Sequence, residues 1–314
     1  MEFGDDPDSH KKSNQPQPPL LEVLLLSIDV VVLPVAGLGS RFLPATKVIP
    51  KEMLPIVDIP LIQLAVEEAV RAGVREIILV TSPSKPMIAA HFQPLPDLEQ
   101  IFSSRGNQAA VEAIRNTLPQ GVKLHIVFQY ESLGLGHAIL CAESIVNNRS
   151  FAVMLPDDLI DGGGAGCLAD MIELYNQEGI FSLAVEGVPL EQTNQYGIVK
   201  LAQDRIVGLV EKPSSLTAPS TLAVVGRYIL PSAIFQSLKD VRPGVGGEIQ
   251  LTDGIATILE HFEFRAHRFS GVRYDCGNKL GQLKANLVYA FKDPALAVPL
   301  RAWMDEHLFG LKHH

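Results

Sequence analysis

The stretch Val32–Ile62, VLPVAGLGSRFLPATKVIPKEMLPIVDIPLI, decides how the rest of the chain is read. It opens inside an apolar strand, Val30–Val35, and breaks into Ala36-Gly37-Leu38-Gly39. Ser40, Arg41, Lys47 and Lys51 follow within a few turns of that loop. Glycines let backbone N–H groups approach an anion, and arginine and lysine neutralise its charge. The dinucleotide fingerprint needs a third glycine opening a helix, where this chain has Phe42-Leu43-Pro44; the P-loop needs Gly-Lys-Ser/Thr, which is absent. Two glycines alone would make a tight turn. With Arg41, Lys47 and Lys51 beside them, a polyphosphate site is the better reading.

Downstream, Pro60 suits the start of a helix. Ile62, Ala65, Val66, Ala69 and Ala72 follow at helical spacing, and Gly73 suits its end. Glu76–Thr81, EIILVT, is a strand. Strand, helix and strand in that order imply a right-handed crossover and a parallel sheet. Further along, the pattern gives an amphipathic helical stretch over Met87–Thr117 with a break near Gly106, a strand over Val122–Gln129 and a helix over His137–Val146. Phe151–Leu155 is a buried strand and Cys167–Gln177 a helix. Phe181–Val185, Tyr196–Val199, Ile206–Val210 and Val224–Leu230 are strands, and Lys284–His307 is a terminal helical segment. The fold class expected is α/β.

Composition fits that class. Of 314 residues, 47% are hydrophobic and only 6% aromatic, which suits a core of Val, Ile, Leu and Ala in buried parallel strands. A formal net charge of −9 argues against non-specific nucleic-acid binding. The three cysteines, Cys141, Cys167 and Cys276, show no metal-binding spacing and point to a reducing cytoplasm. The longest apolar run, Leu20–Ala36, is cut by Glu22, Asp29 and Pro34, so no membrane span is expected. Met1–Pro19 is polar and Pro-rich and reads as a disordered leader, leaving residues 20–314 for one domain. His313-His314 ends the sequence as a pair that resembles a tag remnant.

Four further motifs carry chemistry. Gln129 precedes Leu133-Gly134-Leu135-Gly136-His137-Ala138, a loop into a helix. Its glycines allow close approach to a flat base, and the Gln129 amide can pair with a pyrimidine edge through donor and acceptor alike. His137 reads as a helix-start residue. Asp157-Asp158 ends a parallel strand, at the edge where such sheets bind ligands; the pair is either a solvated turn or a Mg2+ ligand. Glu211-Lys212 follows another strand, where the acid can accept from sugar hydroxyls and the lysine can contact a phosphate, or the two form an exposed ion pair. Glu248 and Asp253, within Gly246–Asp253, read as anions at a helix N-terminus rather than as pocket neighbours.

The opening stretch resembles the signature of the bacterial UTP–glucose-1-phosphate uridylyltransferases (UDP-glucose pyrophosphorylases), of the sugar-1-phosphate nucleotidyltransferase superfamily. It matches nearly throughout, with Ser40 where threonine is usual. Leu133–Ala138, Val210-Glu211-Lys212-Pro213, Val224–Leu230, Gly247–Asp253 and Asp275–Gly281 match later family motifs, so the resemblance runs from about Val30 to about Phe309. It implies a single Rossmann-like nucleotidyltransferase domain, with a mixed, mostly parallel central sheet flanked by helices. The implied reaction is UTP plus α-D-glucose 1-phosphate giving UDP-glucose and pyrophosphate. Ala36, Gly37, Gly39, Gln129 and Gly134 would bind the nucleotide; Gly197, Glu211 and Lys212 the sugar phosphate. Arg41, Lys51 and Lys212 would neutralise the reacting phosphates. Asp157 and Asp275 would hold Mg2+, with Asp158 secondary. A homodimer or homotetramer is expected, with no nucleic-acid or membrane partner. A dTTP-using sister enzyme, a silent regulatory paralogue and a UDP-sugar glycosyltransferase are the rivals. The family loop AGLG, the retained Arg41 and Gly247–Asp253, and the cation-rich signature argue against each in turn.

Overall fold

The computed structural model describes residues 27–244 and 247–309. The leader Met1–Pro19, Gly246 of the Gly246–Asp253 motif and the His313-His314 pair lie outside them. From β1 (Val30–Pro34) the chain passes through short 3-10 turns at Ser40–Phe42, Ala45–Lys47 and Lys51–Met53, then a small hairpin of β2 (Pro55–Ile56) and β3 (Ile59–Pro60). There follow helix α1 (Leu61–Arg71), β4 (Glu76–Thr81), α2 (Pro86–His91), α3 (Pro96–Ser104), α4 (Gln108–Arg115) and β5 (Lys123–Phe128). Next come α5 (Leu135–Leu140), α6 (Glu143–Val146), β6 (Phe151–Met154), β7 (Asp158–Asp161), α7 (Cys167–Glu178) and β8 (Phe181–Gly187). The hairpin β9 (Gly197–Ala202) and β10 (Arg205–Glu211) leads to β11 (Leu222–Leu230), α8 (Ile234–Asp240), α9 (Leu251–Ile258), β12 (Phe264–Arg268) and β13 (Val272–Asp275). Helices α10 (Lys279–Lys292) and α11 (Pro294–Met304) complete the order.

Nine strands form the central sheet in the order β5-β4-β1-β6-β11-β8-β12-β10-β9. β5, β4, β1 and β6 are mutually parallel, as are β8 and β12; β11 and β10 run against their neighbours. The class is therefore α/β with a mixed sheet. β1 has the continuous apolar sequence VVVL because parallel partners hold both its edges and helices cover both its faces. The chain leaves β1 for β4 and β5 on one side and returns to β6 on the other. That reversal makes the carboxyl ends of β1 and β6 a topological switch point, where open α/β sheets form their ligand crevice.

Several local expectations shift. Met87–Thr117 is three short helices, because Pro96 restarts the chain at α3 and Asn107 caps α4, its side chain accepting from Ala110 N at 3.1 Å. The helix expected over His137–Val146 starts at Leu135 behind Gly134 and breaks at Cys141-Ala142. Asp158 is not in a solvated turn. It opens β7, which pairs antiparallel with β13 so that Asp275 lies opposite Asp158. α10 begins at Lys279, earlier than expected, because the Asn278 side chain caps it by accepting from Gly281 N at 2.8 Å.

Candidate active site

A cleft of about 410 Å³ opens at the switch point. Its floor is the end of β6 and the antiparallel pair of β7 with β13. Asp157 and Asp275 meet there: Asp157 Oδ2 and Asp275 Oδ1 each lie 2.9 Å from the point a Cβ on Gly277 would occupy. Glycine is required at 277 by that close approach, and Gly277 N donates to Asp275 Oδ1 at 2.9 Å. Lys51 reaches across from the signature loop, its Nζ 2.5 Å from Asp157 Oδ2. Burial opposes the charge of Asp157, but the Lys51 ammonium outweighs it and holds the carboxyl below its ordinary value.

Asp158 has a different environment. Its two oxygens are taken by Gly226 N at 3.0 Å and by Arg273 Nε at 2.5 Å. Burial raises its pKa, against the pull of Arg273 and with the push of Asp157 and Asp275. Arg273 also donates to Glu186 Oε1 at 2.5 Å and stacks over the Tyr196 ring, 5.3 Å from its centroid. Asp158 is thus committed to the protein, while Asp157 and Asp275 are left to face the cleft. Among the described residues no cluster of three or more His, Cys, Asp or Glu could hold a metal. Two converging carboxylates with hard oxygens fit a divalent cation that takes its other donors from phosphate and water. Cys276, next to Asp275 in sequence, is buried in an apolar cluster with Ile56 and Leu159, and burial and the nearby carboxylates push its thiol up to about 12.

The wall beside β1 is made by the signature loop. Ala36, Gly37 and Arg41 line the cleft, and nothing lies within 4 Å of a Cβ built on Gly37. Gly39 and Lys47 are absent from the lining. Gly39 sits at φ 65° before the 3-10 turn Ser40–Phe42 and accepts from Thr46 Oγ1 at 2.7 Å, so it shapes the loop from behind. Behind the same wall, buried Lys85 donates to Val35 O at 2.8 Å and to Glu52 Oε2 at 3.0 Å, tying the Lys51–Met53 turn to the end of β1.

Gln129 and Gly134 lie further along this wall. Gly134 is at φ 94°, and a Cβ there would fall 2.7 Å from Glu248 Cβ and 2.9 Å from Ile249 O, so only glycine fits. Ile249 N donates to Leu133 O and Gly136 N to Ile249 O, both at 2.8 Å, clasping the two loops together. Glu248 therefore stands in the cleft wall, not in the first turn of α9; Asp253 is in that turn. The Gln129 amide already has partners within the protein. Its Nε2 donates to Gly134 O at 3.2 Å and lies 2.9 Å from His137 Nδ1, so the nitrogen is engaged within the protein.

The opposite wall is the β9–β10 hairpin with the start of α9. Gly197, Glu211, Lys212, Tyr196 and Thr252 line it. A Cβ on Gly197 would fall 2.5 Å from Thr252 Cγ2. Thr252 Oγ1 donates to Glu211 Oε2 at 2.8 Å, while Lys212 Nζ pairs with Glu211 Oε1 at 3.2 Å. Lys212 adopts φ 45°, a left-handed conformation that costs a lysine strain and turns its stem out of the strand direction.

Beneath the floor lies an ion pair the sequence reading missed. Arg227 on β11 donates from Nε and Nη2 to both oxygens of Glu68 on α1, at 2.9 and 2.7 Å. Its Nη1 donates to Leu155 O at 3.2 Å and Gly226 O at 2.9 Å. Leu155 and Gly226 flank the turn that carries Asp157 and Asp158. The one signal available was Glu68 itself, an acid on the apolar face of a helix. Arg273 could have been found by alternation, since in a strand it shares a face with Asp275.

Residues 30–305 match the Nucleotidyl transferase family. The UTP–glucose-1-phosphate uridylyltransferase of Escherichia coli K12 is 41% identical over 297 residues, covering 91% of this chain and 97% of its own. A UTP-bound UGPase from Acinetobacter baumannii superposes with a TM-score of 0.83 at 43% identity, covering 89% of this chain and 99% of that one. A UDP-glucose pyrophosphorylase complexed with UDP-glucose gives 0.75 at 41% identity, covering 85% and 100%. Similarity of that length and depth, on a cleft whose walls carry the matching motifs, means that the chain belongs to the nucleotidyl transferase family, in its UTP–glucose-1-phosphate uridylyltransferase branch.

Proposed function

We propose that the chain transfers a uridylyl group from UTP to α-D-glucose 1-phosphate, releasing UDP-glucose and pyrophosphate. The observation that carries this reading is the convergence of Asp157 and Asp275 on the cleft floor between a cationic loop and the Glu211-Lys212 wall. An oxygen of the sugar phosphate attacks the α-phosphorus of UTP in line. The bond from that phosphorus to the bridging oxygen breaks, and pyrophosphate leaves. The nucleophile is already an anion, so no general base is required. The protein's work is positioning and charge neutralisation.

Arg41 holds the leaving pyrophosphate, and Lys212 docks the sugar phosphate against repulsion from UTP. Glu211, held by Thr252, accepts from sugar hydroxyls. Lys51 keeps Asp157 ionised and lies next to the transferring phosphate. Asp157 and Asp275 would hold Mg2+, which when bound neutralises charge on the reacting phosphates. Ala36, Gly37, Gln129 and Gly134 receive the nucleotide. The protein works as a homo-oligomer in the cytoplasm. Among the described residues no helix is long and apolar enough to cross a membrane.

The test is pyrophosphate release with Mg2+ and glucose 1-phosphate, offering UTP, dTTP, CTP, ATP and GTP separately. A strong preference for UTP is the expected result. Preference for dTTP, or no turnover from folded protein, would remove the reading.

A further inference from the structure

The signature loop and the floor explain how phosphate is handled but not how one base is chosen over another. That choice falls to Gln129, which is 5% exposed and lines the cleft. Oxygen and nitrogen of a glutamine amide are fixed only by their neighbours. Here one neighbour is decisive. Gly134 O can only accept, so the group 3.2 Å from it must be the amide NH2. His137 Nδ1 lies 2.9 Å from the same nitrogen and must therefore be an acceptor too, which places the imidazole proton on Nε2. Both hydrogens of the NH2 are then spent inside the protein. What Gln129 has left for a ligand is its carbonyl oxygen, an acceptor alone.

We infer that His137 is a specificity-determining positioning residue: by accepting from Gln129 it locks the amide with only its oxygen toward the base. This rests on the uridylyl-transfer reading above. Uracil has an N–H donor at ring position 3, where cytosine has an unprotonated nitrogen. A fixed acceptor satisfies the first and meets a lone pair in the second. A buried acceptor left facing another acceptor is strongly rejected, whereas an amide free to turn would serve both bases. Gly134 O alone, at 3.2 Å, holds the amide with one of its two hydrogens. His137 is half-buried on α5 and does not line the cleft, so it acts through Gln129 and not on the nucleotide.

The experiment is steady-state kcat/KM for UTP and for CTP, with Mg2+ and glucose 1-phosphate, in the unaltered protein and two variants. His137→Leu keeps the bulk and removes the acceptor. His137→Asn keeps a carbonyl oxygen near the position of Nδ1. The expected result is a UTP/CTP ratio that falls by about tenfold or more in the leucine variant and stays within about threefold of the original in the asparagine variant. Equal proportional loss for UTP and CTP in the leucine variant, with the ratio unchanged, would overturn the inference, because a merely structural histidine would affect both alike. Should His137→Leu fail to fold by thermal denaturation, His137→Ala, which also lacks a side-chain acceptor, reads the same ratio with the same two outcomes. If the unaltered protein turns over no UTP, the uridylyl-transfer reading itself fails and takes the inference with it. If it prefers UTP and only the variant ratios disagree, the inference alone fails.

Discussion

Beneath the cleft floor, the Arg227 side chain is 1% exposed and gives donors to both oxygens of Glu68 and to two backbone carbonyls. On the sugar-side wall, the Lys212 side chain is 50% exposed and has one carboxylate, Glu211, at 3.2 Å. Both are cation–carboxylate pairs, but only the first is saturated. Arginine's planar fork allows a fixed bidentate pair, and burial removes the competing water. Lysine is a point charge on a flexible stem, and solvent keeps its pairing weak. The difference teaches a division of labour. The floor fixes where the carboxylates Asp157 and Asp275 sit, and the wall keeps a solvated cation that can leave Glu211 at little cost, as its proposed role with a phosphate requires.

The hardest blow to the floor is chemical. Asp275→Asn should lower kcat by about 10²–10³, with the thermal midpoint little changed. Near-normal turnover would mean that Asp275 has no part in holding the divalent cation. Next in size, Arg227→Met strands the buried Glu68 carboxylate and should cost about 3 kcal/mol in urea denaturation. The double variant Glu68→Leu with Arg227→Met should recover most of that loss, which a simple cavity would not allow. On the wall, Lys212→Ala should raise the KM for glucose 1-phosphate about tenfold while leaving that for UTP nearly unchanged. Equal changes for both substrates would contradict its place on the sugar side.

The smallest effect is expected at the far end of the sheet, where Arg149 pairs with Glu76 at 2.8 Å in partial contact with solvent. The Arg149 hydrogen bond, against modest burial, holds the Glu76 carboxyl below its ordinary value. Its stabilisation is complete above the usual carboxylate range and is lost as pH falls through the lowered value. Glu76→Gln should therefore cost about 0.5–1 kcal/mol at neutral pH, with the deficit vanishing in acid. A loss as large as that of Arg227→Met would erase the distinction between saturated and solvated pairs.

Much of this was legible in the chain itself. Val30–Pro34 and Glu76–Thr81 are strands because β-branched and aliphatic runs of that length, separated by one helical period, leave little choice. The residues of the signature-loop wall and the floor come together because Ala36 and Asp157 follow the carboxyl ends of the adjacent parallel strands β1 and β6, while the opposite wall is brought to them by the β9–β10 hairpin. That Gly39 stands behind the lining could not be read from the chain, because a glycine in a phosphate-like loop gives the same letter whether it faces a ligand or shapes the turn. The pairing of β7 with β13 was missed because four residues with an acid at each end look like a turn. Arg227 looked like one residue of an ordinary strand, VVGRYIL. Its meaning lies in Glu68, 159 residues away, and no local pattern reports a partner at that distance. The state of the Gln129 amide was equally hidden, since it depends on a carbonyl and an imidazole that only the folded loop brings near.

The pairing of β7 with β13 also has a consequence for the order in which this protein comes into being. Arg273 and Asp158 are 115 residues apart, and Asp275 lies two residues beyond Arg273. A nascent chain growing from its N-terminus exposes the cationic loop and Asp157 long before the second carboxylate has been synthesised. Until Val272–Asp275 emerges and docks, such a chain has a place for phosphates but only half of its acidic floor. Translation that stalls upstream of β13 therefore yields a fragment in which Asp157 has no Asp275 beside it.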